Sequence, residues 1–194
     1  MTKTDKIKVW DPLVRLFHWG LVASFTIAYI TEEDFLNIHV WAGYTIAGLL
    51  LVRIVWGIIG TKHARFSDFI YRPRTIIQFL KDTAVLKAKR YLGHNPAGGA
   101  MVILLMLSLM LTTVTGLVIY GAEEQAGSIA QWFASFSPLG WGEIAEEAHE
   151  FFANFTLFLV LAHVIGVLVE SLIHKENLVA SMINGFKSKN KQPK

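Results

Sequence analysis

The 194-residue chain contains no cysteine. That single absence removes structural disulfides, iron–sulfur clusters, thiolate-bound zinc and the covalent CxxCH attachment of c-type haem, because each needs a thiol. Any metal must then be held by imidazole, carboxylate or carbonyl groups. Charge is scarce as well. Asp, Glu, Lys and Arg make up 17% of the residues against 53% hydrophobic ones, where an average soluble domain is about 25% charged. The net charge of +3 and the pI near 9.1 would suit a nucleic-acid partner only if the basic residues shared one soluble face. Their positions exclude that, and no nucleic acid is expected.

The chain has instead long apolar runs, at Leu13 to Ile30, Ile38 to Gly60, Ala100 to Tyr120 and Phe151 to Ile173. Each is close to the roughly 20 residues that cross a hydrocarbon core as a helix. Charges sit between the runs, which is why the mean hydropathy is only +0.44. The expected fold is an all-α membrane protein: a four-transmembrane-helix bundle, one domain over residues 1–194, with membrane lipid as its solvent. A barrel is excluded, since alternating strands of about ten residues are missing.

Orientation is set by the 16 Lys and Arg residues outside the spans, all of which fall on alternate connections. Lys3, Lys6 and Lys8 precede span one. Lys62, Arg65, Arg72, Arg74, Lys81, Lys87, Lys89 and Arg90 lie between spans two and three, and Lys175, Lys187, Lys189, Lys191 and Lys194 come after span four. The other two connections carry Glu32, Glu33 and Asp34, and then Glu123, Glu124, Glu143, Glu146 and Glu147. By the positive-inside rule both termini and the central loop 61–99 are cytoplasmic. Within that loop, Thr75 to Tyr91 sets Ile76, Ile77, Leu80 and Ala84 at helical spacing against Lys81, Lys87, Lys89 and Arg90, which predicts a helix lying on the headgroups. The aromatic, uncharged stretch within 121–148 is expected in the outer interface. Span one is not a signal peptide, since it lacks a small-residue cleavage site and carries Arg15 and His18.

Ionisable residues inside spans are expensive and imply function. His18 is near the cytoplasmic end of span one and His39 near the outer end of span two, while span four carries His149 and, fourteen residues later, His163. That spacing is about 21 Å of rise and roughly four turns, so the two share a helix face at two depths. The topology pairs His18 with His163 at the inner level and His39 with His149 at the outer one. Two imidazoles from different helices are what a six-coordinate haem iron needs, its porphyrin filling the equatorial plane. Without Cys such haems are b-type and non-covalent. Zinc fits worse, because two imidazoles cannot complete a tetrahedral site. Span three holds no Asp, Glu, Lys, Arg or His, which suits a packing role. Arg15 and Arg53 are placed to neutralise haem propionates, and Gly43 and Gly166, one turn from His39 and His163, would let a flat macrocycle approach the backbone. The residues also leave open a proton-coupled transporter or pH sensor that uses the buried histidines, with Glu170 as its carboxylate.

WDPLVRLFHW at Trp10 to Trp19, NIHVWAGY at Asn37 to Tyr44, RYLGHNPAGGAM at Arg90 to Met101 and the His149 and His163 pair resemble one family. It is the bacterial cytochrome b561 type, which includes the cytochrome b subunits of membrane-bound nickel–iron hydrogenases, and the likeness runs from about Lys8 to His174. The resemblance implies a di-haem b cytochrome, multi-pass in the bacterial inner membrane, moving electrons between the quinone pool and a redox partner. His18, His39, His149 and His163 match the positions of the axial ligands. Glu150 departs from the hydrogenase-type pattern, where a basic residue tends to stand. A periplasmic c-type cytochrome is therefore the expected partner, drawn to the acidic outer loops, with a hydrogenase as the alternative. A stand-alone superoxide or ferric oxidoreductase is a further one, so these residues leave open whether the chain is itself an enzyme. For quinone, the basic surface and the nearness of the inner haem level nominate the cytoplasmic Gly93 to Gly99 turn with His94.

Overall fold

In a computed structural model, residues 6–32, 35–122, 127, 130–132, 135 and 142–189 are described. Most of the aromatic outer stretch, Glu33, Asp34, Glu123, Glu124 and the last lysines lie outside them. Four helices are long and apolar enough to cross a membrane: α1 (Pro12–Ile30), α2 (Leu36–Ile59), α4 (Pro96–Ala122) and α5 (Gly142–Ile173). Between them come α3 (Pro73–Ala84) and, after α5, the short α6 (Leu178–Asn184).

Helix ends obey capping chemistry more closely than hydropathy. Asp11 Oδ1 accepts from Val14 N at 2.9 Å and Pro12 takes the first helical position, so α1 starts where its first orphan amides are satisfied. Asn95 Oδ1 accepts from Gly98 N at 2.6 Å with Pro96 next, which begins α4 four residues before its apolar run. Helix α5 starts nine residues before its run. Glu143 in its first turn complements the positive end of the helix dipole. In the central loop the helix spans Pro73–Ala84, where the pattern predicts Thr75 to Tyr91. It stops because Leu86 turns left-handed (φ 58°) and Lys87 N closes back on Asp82 O at 2.7 Å.

The chain divides into two compact units. The first comprises Met1–Trp19, Val52–Ile103 and Leu161–Lys194. Its core is Val9, Trp10, Val14 and Ala64, with Ile7, Trp56 and Met182 against them. It also holds a two-stranded antiparallel sheet that the lysine-rich termini do not suggest, β1 (Lys6–Lys8) paired with β2 (Phe186–Ser188), Ile7 opposite Lys187. The second unit comprises Gly20–Leu51 and Leu104–Val160, cored by Ile46, Leu50 and Leu109 with Leu21, Phe25, Ala28 and Met106. There Ser108 Oγ and Thr156 Oγ1, both buried, share a hydrogen bond of 2.7 Å between α4 and α5. Such a pair holds helices together where no hydrophobic force does.

Asp11 is the polar hub of the first unit. Its buried Oδ2 also accepts from Trp56 Nε1 at 3.0 Å and from Thr61 Oγ1 at 2.6 Å. Burial pushes its carboxyl upward, but the donors of Thr61, Val14, Trp56 and Leu13 outweigh it and hold the group below the usual Asp range. Asp11→Ala should cost about 2–4 kcal/mol, a lost cap plus orphaned donors, read as a lower Tm in detergent. The lowered value gives the sign for pH. Asp11's contribution is complete above the unfolded carboxylate value of about 4 and is lost as pH falls through the folded one, so the Tm gap between parent and variant should close only in acid.

Candidate functional site

Each unit brings together one of the expected histidine pairs. In the first, His18 on α1 and His163 on α5 have ring centroids 6.4 Å apart with planes at 54°. In the second, His39 on α2 and His149 on α5 lie 6.0 Å apart at 69°. The distances have a physical meaning. A metal–imidazole bond of about 2.0–2.1 Å, added to about 1.2 Å from nitrogen to ring centre, sets two imidazoles on one ion about 6.4 Å apart. Both pairs match that separation. Among the described residues no three His, Asp or Glu side chains converge on a metal position, so either pair suits an ion whose other positions a macrocycle fills.

In the second unit the two imidazole rings are anchored from behind. His39 Nδ1 donates to the Ala28 carbonyl at 2.9 Å and His149 Nδ1 to the Thr112 carbonyl at 2.8 Å. A donor bond at Nδ1 fixes the tautomer and leaves Nε2 as the free lone pair, the usual arrangement behind a metal-bound histidine. The sequence suggests only a packing role for span three. Instead α4 supplies the Thr112 carbonyl, a 3.2 Å contact from Thr115 Oγ1, and Gly116, where an added Cβ would lie 2.9 Å from His149 Cε1. A backbone carbonyl carries no mark in a sequence, so the one available signal was Gly116, standing alone in the apolar run from Ala100 to Tyr120. His39, His149, Gly43 and Gly116 line an open cavity, otherwise mostly apolar, with Tyr29, Tyr44 and Glu32 among its polar members. A Cβ on Gly43 would meet nothing within 4 Å, so the space beside it is open.

In the first unit the signal is polar atoms that the protein leaves unpartnered. Arg53 is 2% exposed and enclosed by the rings of Phe17, Phe66 and Phe69, 5.8, 5.0 and 5.8 Å from its guanidinium carbon. Its Nη1 is buried without a hydrogen bond, as are His18 Nδ1, Arg15 Nε and His94 Nδ1. A buried cation with no carboxylate on it is costly. Haem offers propionates for the unpartnered guanidinium nitrogens and an iron that a pair of imidazoles suits, so both sets of residues fit the group. Arg15 is partly committed elsewhere, since its Nη1 donates to the Ile183 carbonyl. Gly166 is exposed, and a Cβ there would meet nothing within 4 Å.

His94 is not on a loop surface. Its ring lies between Trp10 and Phe69, with centroids 4.7 and 4.5 Å away, and burial, then the charges of Arg53 and Lys187, push its pKa down to about 3. It is a neutral imidazole at physiological pH, a donor and acceptor rather than a cation. The remaining histidines have carboxylate neighbours, His63 with Asp68 at 2.9 Å and His174 with Glu170 at 3.3 Å.

The family model described as prokaryotic cytochrome b561 matches residues 9–185. A probable Ni/Fe-hydrogenase B-type cytochrome subunit of Rhizobium leguminosarum is 27% identical, the match covering 93% of this chain and 88% of that one. Counterparts described in the same words from Azotobacter vinelandii, and as hydrogenase 1 in Escherichia coli K12, are each 22% identical over 95% and 93% of this chain and 90% of theirs. No solved structure matches.

Proposed function

The chain belongs to the prokaryotic cytochrome b561 family, a multi-pass membrane electron-transfer protein of b type, and from that premise we propose that it carries two b haems between a quinone site and a redox partner. The observation that carries this reading is the pair of imidazole couples, 6.4 and 6.0 Å between centroids, one in each unit. His18 and His163 would hold one iron, His39 and His149 the other. Arg53 and Arg15 would take propionate charge, and Gly43 and Gly166 would leave room for the macrocycle edge. The cofactor supplies one-electron ferric–ferrous chemistry. The protein's own groups do the rest. The Ala28 and Thr112 carbonyls would orient two ligands, the apolar cavity wall would suit the macrocycle, and the buried guanidinium of Arg53 would favour an anionic edge.

By the distribution of Lys and Arg the first unit faces the cytoplasm, with α3 on the headgroups and its Ile77 and Leu80 exposed. His94, neutral and with Nδ1 unpartnered, would bond a quinone carbonyl. His94→Leu should leave both haems bound and slow their reduction by quinol about 10- to 100-fold, measured by stopped-flow absorbance. Unchanged reduction would move the quinone site elsewhere.

At the outer end the partner would be a periplasmic c-type cytochrome steered by acidic loops. The names of the relatives favour a second reading, a nickel–iron hydrogenase. Purification from native membranes tests them, with a c-type cytochrome expected and a hydrogenase subunit overturning that choice. Gly116→Val is expected to push the His149 ring aside and cost the second unit its haem while the first keeps its own. A haem assay should fall from about two per chain to about one.

A further inference from the structure

The two ligand pairs are held differently, and the difference points at the C-terminal segment. His39 and His149 are each anchored by a carbonyl at Nδ1, whereas His18 Nδ1 bonds to no group among the described residues. Its ring orientation must come from the turn of α1 that carries it. That turn is tied on both sides to one place. Arg15 Nη1 donates to the Ile183 carbonyl and Trp19 Nε1 to the Met182 carbonyl at 3.4 Å, while the Trp19 ring meets the His18 ring edge-on at 5.0 Å. Residues 182 and 183 are the end of α6, and residues 185–188 are fastened down behind them as a strap. Gly185 takes the left-handed conformation (φ 87°) that ends α6, and its carbonyl accepts from Val9 N at 2.9 Å and Trp10 N at 3.1 Å. An added Cβ there would lie 2.6 Å from the Trp10 carbonyl oxygen. Beyond it β2 pairs with β1, Lys187 sets its ammonium 5.5 Å over the Trp10 ring, and Arg90 bonds both the Ser188 carbonyl and the Glu176 carboxylate.

We propose that the segment 178–188 is a positioning element for His18: through Trp19 and Arg15 it sets the orientation of that imidazole, a task done for His39 and His149 by helix carbonyls. The proposal rests on the haem reading above. The effect should be confined to the ligand field and retention of one haem. Trp19 and Gly185 are the positions to vary, because Arg15 also has a role proposed toward the propionates. Trp19→Phe removes the indole donor and keeps the ring, and Gly185→Val prises the strap from Trp10.

The experiment uses the full-length protein in two backgrounds, each keeping one haem: His39→Ala, which retains the first unit's haem, and His18→Ala, which retains the second's. In the His39→Ala background, Trp19→Phe and Gly185→Val should shift the low-spin electron paramagnetic resonance signal and the midpoint potential. They should also speed transfer of the haem to a scavenging apoprotein about 5- to 10-fold, as expected for a lost hydrogen bond. In the His18→Ala background the same changes should leave all three readings alone, which also shows that the variants fold. Unchanged readings in the first background, or equal shifts in both, overturn the proposal. Absence of haem from the parent protein overturns the haem reading and this inference with it.

Discussion

His18→Ala and His163→Ala should each remove the same one of two haems, and His39→Ala and His149→Ala should each remove the other. The effect is large because a bis-imidazole iron depends on two protein bonds, and losing one leaves the site with a single ligand and an unfilled position. Haem per chain should fall from about two to about one in all four variants. Each double variant within a pair should look like its single variants, whereas a double across pairs should lose both. The pairing is the falsifiable content. If His18→Ala and His163→Ala bleach different haems, as judged by potential and by the low-spin signal that survives, the assignment of ligands to units is wrong even though the family is right.

Arg53→Met is expected to act in opposite directions on the empty and the loaded protein. Arg53 is 2% exposed, its Nη1 has no hydrogen-bond partner, and the faces of Phe17, Phe66 and Phe69 enclose its guanidinium. The three cation–π contacts, about 0.5–2 kcal/mol each, together do no more than offset the several kcal/mol lost on burying an ion, so the charge adds no net stability to the empty protein. Methionine has similar reach and no charge, so the haem-free protein should melt at the same temperature or higher. The loaded protein should suffer, because a charge-assisted bond to a propionate is worth about 1.5–3 kcal/mol. Haem should leave the first unit about 10- to 100-fold faster, and that haem's potential should fall as a nearby positive charge is removed. A variant that melts lower without haem, and holds haem as the parent does, would show that Arg53 serves the aromatic cage alone.

Much of this was legible in the residues, for reasons that also explain the gaps. Lipid demands runs of about 20 apolar residues, and that demand writes itself plainly into a sequence. Helix ends are written in a smaller script. Asn95 and Pro96 announce the start of α4, yet an apolar count passes over them to Ala100. The histidine pairs were legible because an imidazole within a span is rare and a four-helix topology leaves few partners for each. The anchors behind them were not, because the Ala28 and Thr112 carbonyls look like any other backbone group. The strap was hidden by composition. Phe186, Lys187 and Ser188 sit in a lysine-rich tail, and only their pairing with Lys6, Ile7 and Lys8 makes them a strand. The burial of His94 was also hidden, since a Gly-His-Asn-Pro turn does not show that its ring is held between Trp10 and Phe69.

The central claim is that this chain holds two low-spin b haems, one on each histidine pair. Its most direct test is the reduced-minus-oxidised optical spectrum of the purified full-length protein, with haem and protein quantified on the same sample. The account predicts low-spin b-type bands and about two haems per chain. A folded, monodisperse protein without haem would contradict it, as would a single haem that survives His18→Ala and is lost with His39→Ala.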